Sequence, residues 1–261
     1  MLARMPRLVA NIGFLFTELP LPERFAAAAA AGFAEVEFIG AYDQPPATVA
    51  GWARDAGVAV TLLNLPFGDA AAGDRGLAAV RGREGEFRDG ALRALDHAAA
   101  TGCPMLHCMA GVAPRDAAAE DTYRANLAWL ADQAPDMAFT IEPISGASMP
   151  GYYLNRTDQA MATLDAVARP NLGLQFDCFH VQLEEGDVLG RFARLVPRIR
   201  HVQIANPPGR HEPGAGELDL PWLMAQFDRL GYRGRIGCEY RPSTAATTDS
   251  LGWAAAFLKK V

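Results

Sequence analysis

Short apolar runs recur along the chain about every thirty residues, and the stretches between them space their apolar positions as helices do. The runs fall at 8–16 (LVANIGFLF), 33–39 (FAEVEFI), 58–66 (VAVTLLNLP), 104–111 (PMLHCMAG), 137–143 (MAFTIEP), 172–180 (LGLQFDCFH), 199–206 (IRHVQIAN) and 235–240 (RIGCEY). All are short and bounded by turn residues, which predicts strands. Helices are predicted over 22–31, 48–57, 85–101, 116–133, 157–168, 187–196 and 221–230, with a last helix closing the chain. Gly32, Gly57 and Gly102 stand where the first three helices should stop. Strand–helix alternation implies parallel strands with right-handed crossovers. Eight such units predict an α/β fold, a single-domain (β/α)8 TIM barrel over 1–261. An open doubly wound sheet is the alternative, but NIGFLFTEL after the first strand lacks a Gly-rich phosphate turn. Three long connections, 67–84, 144–156 and 207–220, are expected over the barrel mouth.

Polar residues at the ends of the later runs carry the chemical signal. Glu142, Asp177, Gln203 and Glu239 each close an apolar stretch. In a parallel barrel the carboxyl ends of the strands converge on one mouth. Three carboxylates and an amide oxygen there suit a hard divalent cation, magnesium or manganese. An isolated carboxylate on an apolar strand is costly to bury unless paired or metal-bound. The plainer alternatives are a salt-bridged strand end for Glu142 and an ion pair with Arg241 for Glu239. Glu142 and Glu239, from the fifth and eighth strands, would flank a substrate and suit proton removal at one carbon and delivery at its neighbour. His180 is expected at the strand end or in the loop after Asp177, within reach of substrate. His201 is expected below the metal, and His107 on the fourth strand is a candidate for pointing inward. Asn64 and His107 join the candidate substrate-binding set. Arg75, Arg81, Arg83, Arg210 and His211 lie in or beside mouth loops, where a guanidinium can grip a carboxylate. His97 belongs to a helix interior, outside the site.

Composition narrows the function classes. The 261 residues are 50% hydrophobic and 21% charged, enough for a substantial core. The net charge of -6 and the lack of a Lys/Arg run argue against nucleic acid as a partner. No segment has the length of a membrane span. The N-terminal MLARMPRLVANIGFLF mimics a weak signal sequence, but Asn11, Gly13 and Glu18 interrupt it, so it reads as a first strand. Cys103, Cys108, Cys178 and Cys238 form no C-x-x-C pair and read as buried thiols in a cytoplasmic protein. Exposed barrel helices often pair, which leaves a homo-oligomer open.

With those residues in place, the chain resembles the hydroxypyruvate isomerase family of the xylose isomerase-like TIM barrels. The likeness is carried by ANIGFLF, GFAEVEF, NLPFGDAAAGDRGLA, GREGEFRDG, IEPI, PGYYL, LQFDCFH, HVQIA, GRHEPGAGE and GCEYRP. It implies metal ligation by Glu142, Asp177, Gln203 and Glu239, acid–base work by Glu142 and Glu239, and His180 and Arg210 near the substrate. The substrate implied is a small hydroxy-oxo acid, hydroxypyruvate, interconverted with 2-hydroxy-3-oxopropanoate (tartronate semialdehyde). Leu63, Phe67 with Ala71, Ser145 and Asn206 depart from residues common in the family. These departures, read as mouth positions, leave open a close branch acting on 2-oxo-tetronate. A sugar or sugar-acid 3-epimerase is a further alternative, though such enzymes usually carry histidine where Gln203 stands. Two others are a non-catalytic barrel that binds a sugar acid and cleavage of abasic DNA. The last would need additional histidines, and the chain has five in all.

Overall fold

The structure, a computed structural model, describes residues 7–258; the basic start of the N-terminal stretch and residues 259–261 lie outside it. Eight parallel strands close in sequence order into a barrel: β1 (Arg7–Asn11), β2 (Glu35–Phe38), β3 (Ala59–Asn64), β4 (Met105–His107), β5 (Ala138–Ile141), β6 (Leu172–Asp177), β7 (Ile199–Ile204) and β8 (Arg235–Cys238), with β8 pairing β1. Around them run α1 (Leu21–Ala30), α2 (Pro46–Ala56), α3 (Glu84–Thr101), α4 (Ala117–Gln133), α5 (Thr157–Val167), α6 (Cys178–Glu184), α7 (Val188–Leu195) and α8 (Leu220–Arg229). Their ends follow local chemistry. Asp116 and Asp219 accept the N–H groups of Ala119 and Trp222 at the starts of α4 and α8. Gly57 ends α2 in the left-handed region at φ 70°, which a Cβ would disfavour.

Three expectations need correction. The first strand stops at Asn11, because residues 12–16 turn away and the Phe14 and Leu15 N–H groups bond back to the Asn11 carbonyl. The sixth run is not all strand: Asp177 accepts the Phe179 N–H and starts α6, so His180 sits on a helix. No α-helix closes the described chain; 3-10 turns at Thr247–Ser250 and Gly252–Ala254 take its place, and Thr247 is tied to Glu18.

The barrel turns its polar alternation inward. Val36, Phe38, Leu174, Phe176, Val202 and Ile204 are buried in the apolar core. Rings from the helices meet them there: Phe25 packs edge-on against Phe38 and Phe192 against Phe176, while Phe192 stacks on Phe227. The alternate residues, Glu37, Gln175, His201 and Gln203, are equally buried but polar. Gln203 Nε2 donates to Glu37 Oε1 at 2.7 Å, a bond from β7 to β2 that crosses the interior. Buried polar groups cost about 1–3 kcal/mol each when unpaired, so such an interior must be cross-linked.

Gly237 on β8 makes room for this packing, since a Cβ there would lie 2.3 Å from Glu37 Oε1. Gly237→Ala is expected to lower stability by about 1–3 kcal/mol through overpacking. Urea denaturation checks this, and an unchanged midpoint would mean the Glu37 carboxylate is not fixed.

Candidate active site

At the carboxyl ends of the strands lies a cavity of about 380 Å³, whose walls include Asn64, His107, Glu142, His180, Arg210 and Glu239. Glu142 follows β5 directly and precedes Pro143, and Glu239 follows β8. Asp177 ends β6 and is the register partner of Gln203 on β7. Because Asp177 Oδ1 caps α6, its Oδ2 is left to face Arg210 Nη2 at 3.2 Å and His180 Nε2 at 3.7 Å. His180 Nε2 is also 3.9 Å from Glu142 Oε1, and His107 Nε2 is 3.5 Å from Glu142 Oε2.

Arg210 is the hub of charge. It lies in the loop after β7, in the left-handed region at φ 61°, over the Phe14 and Phe179 rings at 4.6 and 5.1 Å. Its Nη2 pairs with Glu239 Oε2 as well as Asp177 Oδ2. Glu239 thus pairs with Arg210 rather than with Arg241, the partner its plainer reading offered. Burial pulls the guanidinium down, but Glu239, Asp177 and Glu142 together hold it above its ordinary value.

Three residues not singled out in the sequence complete the interior: Asn11, Glu37 and Gln175. Asn11 Nδ2 bridges Glu37 Oε1 at 3.1 Å and Glu239 Oε1 at 3.0 Å. Gln175 Nε2 bridges Glu142 Oε2 at 3.0 Å and Gln203 Oε1 at 2.7 Å, and its own oxygen accepts from Thr140. His201 Nε2 lies 2.6 Å from Glu37 Oε2, with both residues wholly buried. For Glu37 and Gln175 the signal was the period of two in EVEF and LGLQFD, which sets Glu37 between Val36 and Phe38, and Gln175 in phase with Asp177. His97, as expected, belongs to α3 and bonds to Arg93 and Gln44 carbonyls.

The departures from the family pattern do not all touch the mouth, which corrects that expectation. Leu63 packs in the apolar core and Ala71 is exposed. Asn206 fastens the third loop through paired amide bonds to Leu218. Phe67 does line the cavity, and Ser145 Oγ lies 3.3 Å from His180 Nδ1.

The electrostatics favour a cation. Burial first, then Glu239 and Asp177, push the Glu142 carboxyl far above the usual carboxylate range. Burial, opposed by Arg210, pushes Glu239 up to about 8. Burial pulls His180 down to about 4 and His107 to about 3, so both are neutral bases at pH 7. Glu142, Asp177 and His180 offer ligand atoms within 4.8 Å of one another. Glu142 Oε1 is buried with no hydrogen-bond partner among the described residues. A divalent cation fits such a set: it would take the orphan oxygen and offset the repulsion among the carboxylates.

A closed parallel barrel with an acidic, cation-ready mouth defines a class of enzyme scaffold, and the comparisons with known proteins give the family. The xylose isomerase-like TIM barrel profile matches residues 25–260, and the chain belongs to that family. It is 46% identical to a 2-oxo-tetronate isomerase of Cupriavidus necator, covering 97% of this chain and 99% of that one. It is 37% identical to a hydroxypyruvate isomerase of Escherichia coli, covering 95% and 98%. A crystal structure from Brucella melitensis described as an AP endonuclease of family 2 superposes with a TM-score of 0.94 at 39% identity, covering 98% of this chain and all of that one. Among the described residues no helix is long and apolar enough to cross a membrane.

Proposed function

We propose that this chain isomerises a short hydroxy-oxo acid, with hydroxypyruvate and 2-hydroxy-3-oxopropanoate as the interconverted pair. The observation that carries the reading is the placing of two buried glutamates from different strands, Glu142 and Glu239, on one small cavity, in a chain related over nearly its whole length to isomerases of such acids. The 46% identity to a 2-oxo-tetronate isomerase favours that longer acid as the second substrate to test. The family 2 endonuclease description belongs to the Brucella protein, and the acidic net charge of -6 argues against DNA here.

In this reading one glutamate takes a proton from C3 of hydroxypyruvate, leaving an enediolate across C2 and C3. The other glutamate delivers a proton to C2, and the hydroxyl proton passes from O3 to O2, so no atom is gained or lost. His107, neutral, offers a hydrogen bond to the substrate oxygens, while the neutral His180 turns its Nε2 toward Glu142 and Asp177. Arg210 holds Glu239 and Asp177 in place. Glu142, Asp177 and His180 would hold the cation; Glu239 lies on the same cavity, while the Gln203 amide is engaged with Gln175 and Glu37. A bound magnesium or manganese ion would polarise the substrate carbonyl and make the adjacent C–H more acidic. Proton NMR in deuterium oxide with added manganese tests the reaction: interconversion with solvent deuterium entering at carbon is the expected result. No turnover of hydroxypyruvate or 2-oxo-tetronate would overturn it.

Cation binding should depend on pH with a definite sign. A carboxyl whose folded value is raised stabilises the fold below its unfolded value, and that contribution is lost as pH rises through the folded value. For Glu239 the window runs from 4.5 to about 8. The metal-free protein should therefore lose stability toward pH 8, where a cation competes with fewer protons. His107 and His180 act oppositely: their contribution is present above 6.5 and lost as pH falls toward about 4 and 3. Manganese is expected to raise Tm more at pH 8 than at pH 5.5 in thermal melts. Equal increments at both would contradict the carboxylate site.

A further inference from the structure

We infer that Arg75 is the residue that binds the substrate's carboxylate and selects acids over neutral sugars at this site. The inference rests on the hydroxy-oxo acid reading for its substrate class. Three arginines line the cavity: Arg75, Arg210 and Arg241. Arg210 is committed to Glu239 and Asp177. Arg241 is exposed and makes no side-chain hydrogen bond among the described residues. Arg75 differs from both. It is half-buried, and its Nη1 donates to the carbonyls of Ala70 at 3.2 Å and Asp74 at 2.6 Å. Among the described residues no hydrogen bond or ion pair engages its Nε or Nη2. A guanidinium held by one nitrogen presents its other edge, two parallel N–H groups, to a carboxylate.

The loop that carries Arg75 is fixed from both sides. Asp74 Oδ2 accepts the Asp69 N–H at 2.6 Å, and its Oδ1 pairs with Arg83 at 2.6 Å, while Arg83 also grips Glu86. That pairing accounts for Arg83, which was a candidate substrate ligand in the sequence. Gly76 bridges Ala110 beyond β4, so close that a Cβ would lie 2.5 Å from the Met109 carbonyl oxygen. Arg75 is thus set against the cavity wall rather than swinging in solvent. Glu142, Asp177 and Glu239 offer an anionic group no matching cation of the protein, since Arg210 is taken up by Asp177 and Glu239. A substrate with its reacting carbons at the glutamates can turn its carboxylate to Arg75, which among the described residues is the cavity arginine that is both held and unpaired.

Isothermal titration with glycerate tests this, because glycerate has the carboxylate and hydroxyls but no ketone to isomerise. The manganese-loaded protein should bind glycerate, and Arg75→Gln should weaken it by about 30-fold, the scale of one charge-assisted hydrogen-bonded pair. Arg75→Lys should fall between, since a point charge replaces a two-pronged donor. For hydroxypyruvate, KM should rise by a similar factor with kcat little changed, and manganese binding by electron paramagnetic resonance should not move. Equal glycerate affinity in wild type and Arg75→Gln, no binding by wild type, or loss of manganese along with glycerate would each overturn the assignment. Arg75-dependent glycerate binding without any turnover would leave Arg75 standing and overturn the isomerase reading alone.

Discussion

Glu239→Gln is expected to reduce turnover of hydroxypyruvate by about 10³-fold, within the range for losing a general acid–base group, while the metal-free protein becomes no less stable at pH 8. The two halves have one cause. The carboxylate is buried, and burial pushes it up to about 8 despite Arg210. Its charge therefore opposes folding at alkaline pH, and the amide removes that charge while keeping an oxygen for the Asn11 and Arg210 donors. A residue that only supported the fold would show the reverse, lost stability with activity following the folded fraction. Turnover and thermal melts on the same preparation decide it. Activity within tenfold of wild type would remove Glu239 from the chemistry.

The largest stability loss is expected at Arg210. Arg210→Ala leaves Asp177 and Glu239 without their shared cation in a buried site, and breaking such a pair from one side costs about 3–5 kcal/mol. The contact with the Phe14 and Phe179 faces goes with it. Manganese should return a good part of that loss, because it supplies positive charge where the guanidinium was. Lysine should restore less than the native residue, having no planar face to lay on the two rings. Urea denaturation with and without manganese measures both effects. A loss under about 1 kcal/mol would place the ion pairs in effectively solvated surroundings.

The barrel was legible because each strand announced itself by apolar residues and each helix by its stop, as at Gly57. Errors arose where a single side chain overrode the run. LGLQFDCFH is apolar throughout, yet the Asp177 carboxylate captures the Phe179 N–H and converts its last residues to helix. Residues 12–16 likewise look like strand until Asn11 turns the chain. At the mouth, Glu142, Asp177, Gln203 and Glu239 were proposed from strand-end position, His107 from its place on the fourth strand and His180 from its place just after Asp177; all but Asp177 and Gln203 line the cavity. Gln203 is instead engaged with Gln175 and Glu37. The interior partners went unseen for a physical reason. Glu37, Asn11 and Gln175 bond to side chains from neighbouring strands that are separated from them in sequence by whole helices and loops, and local alternation shows that a residue faces inward without showing what it meets.

The hydrogen-bonded interior also sets where this scaffold can be re-engineered. Asn11, Glu37, Gln175 and Gln203 share partners, so a change at one strands a buried group on another. A library diversifying those positions one at a time would return mostly destabilised protein, and productive variants would have to change them in matched sets. Ile39, Phe67, Met109, Ile144 and Met149 line the same cavity with apolar side chains that hold no ionic partner. New substrate lengths and shapes should be sought there, where the chemistry beneath is left untouched and each position can be varied alone.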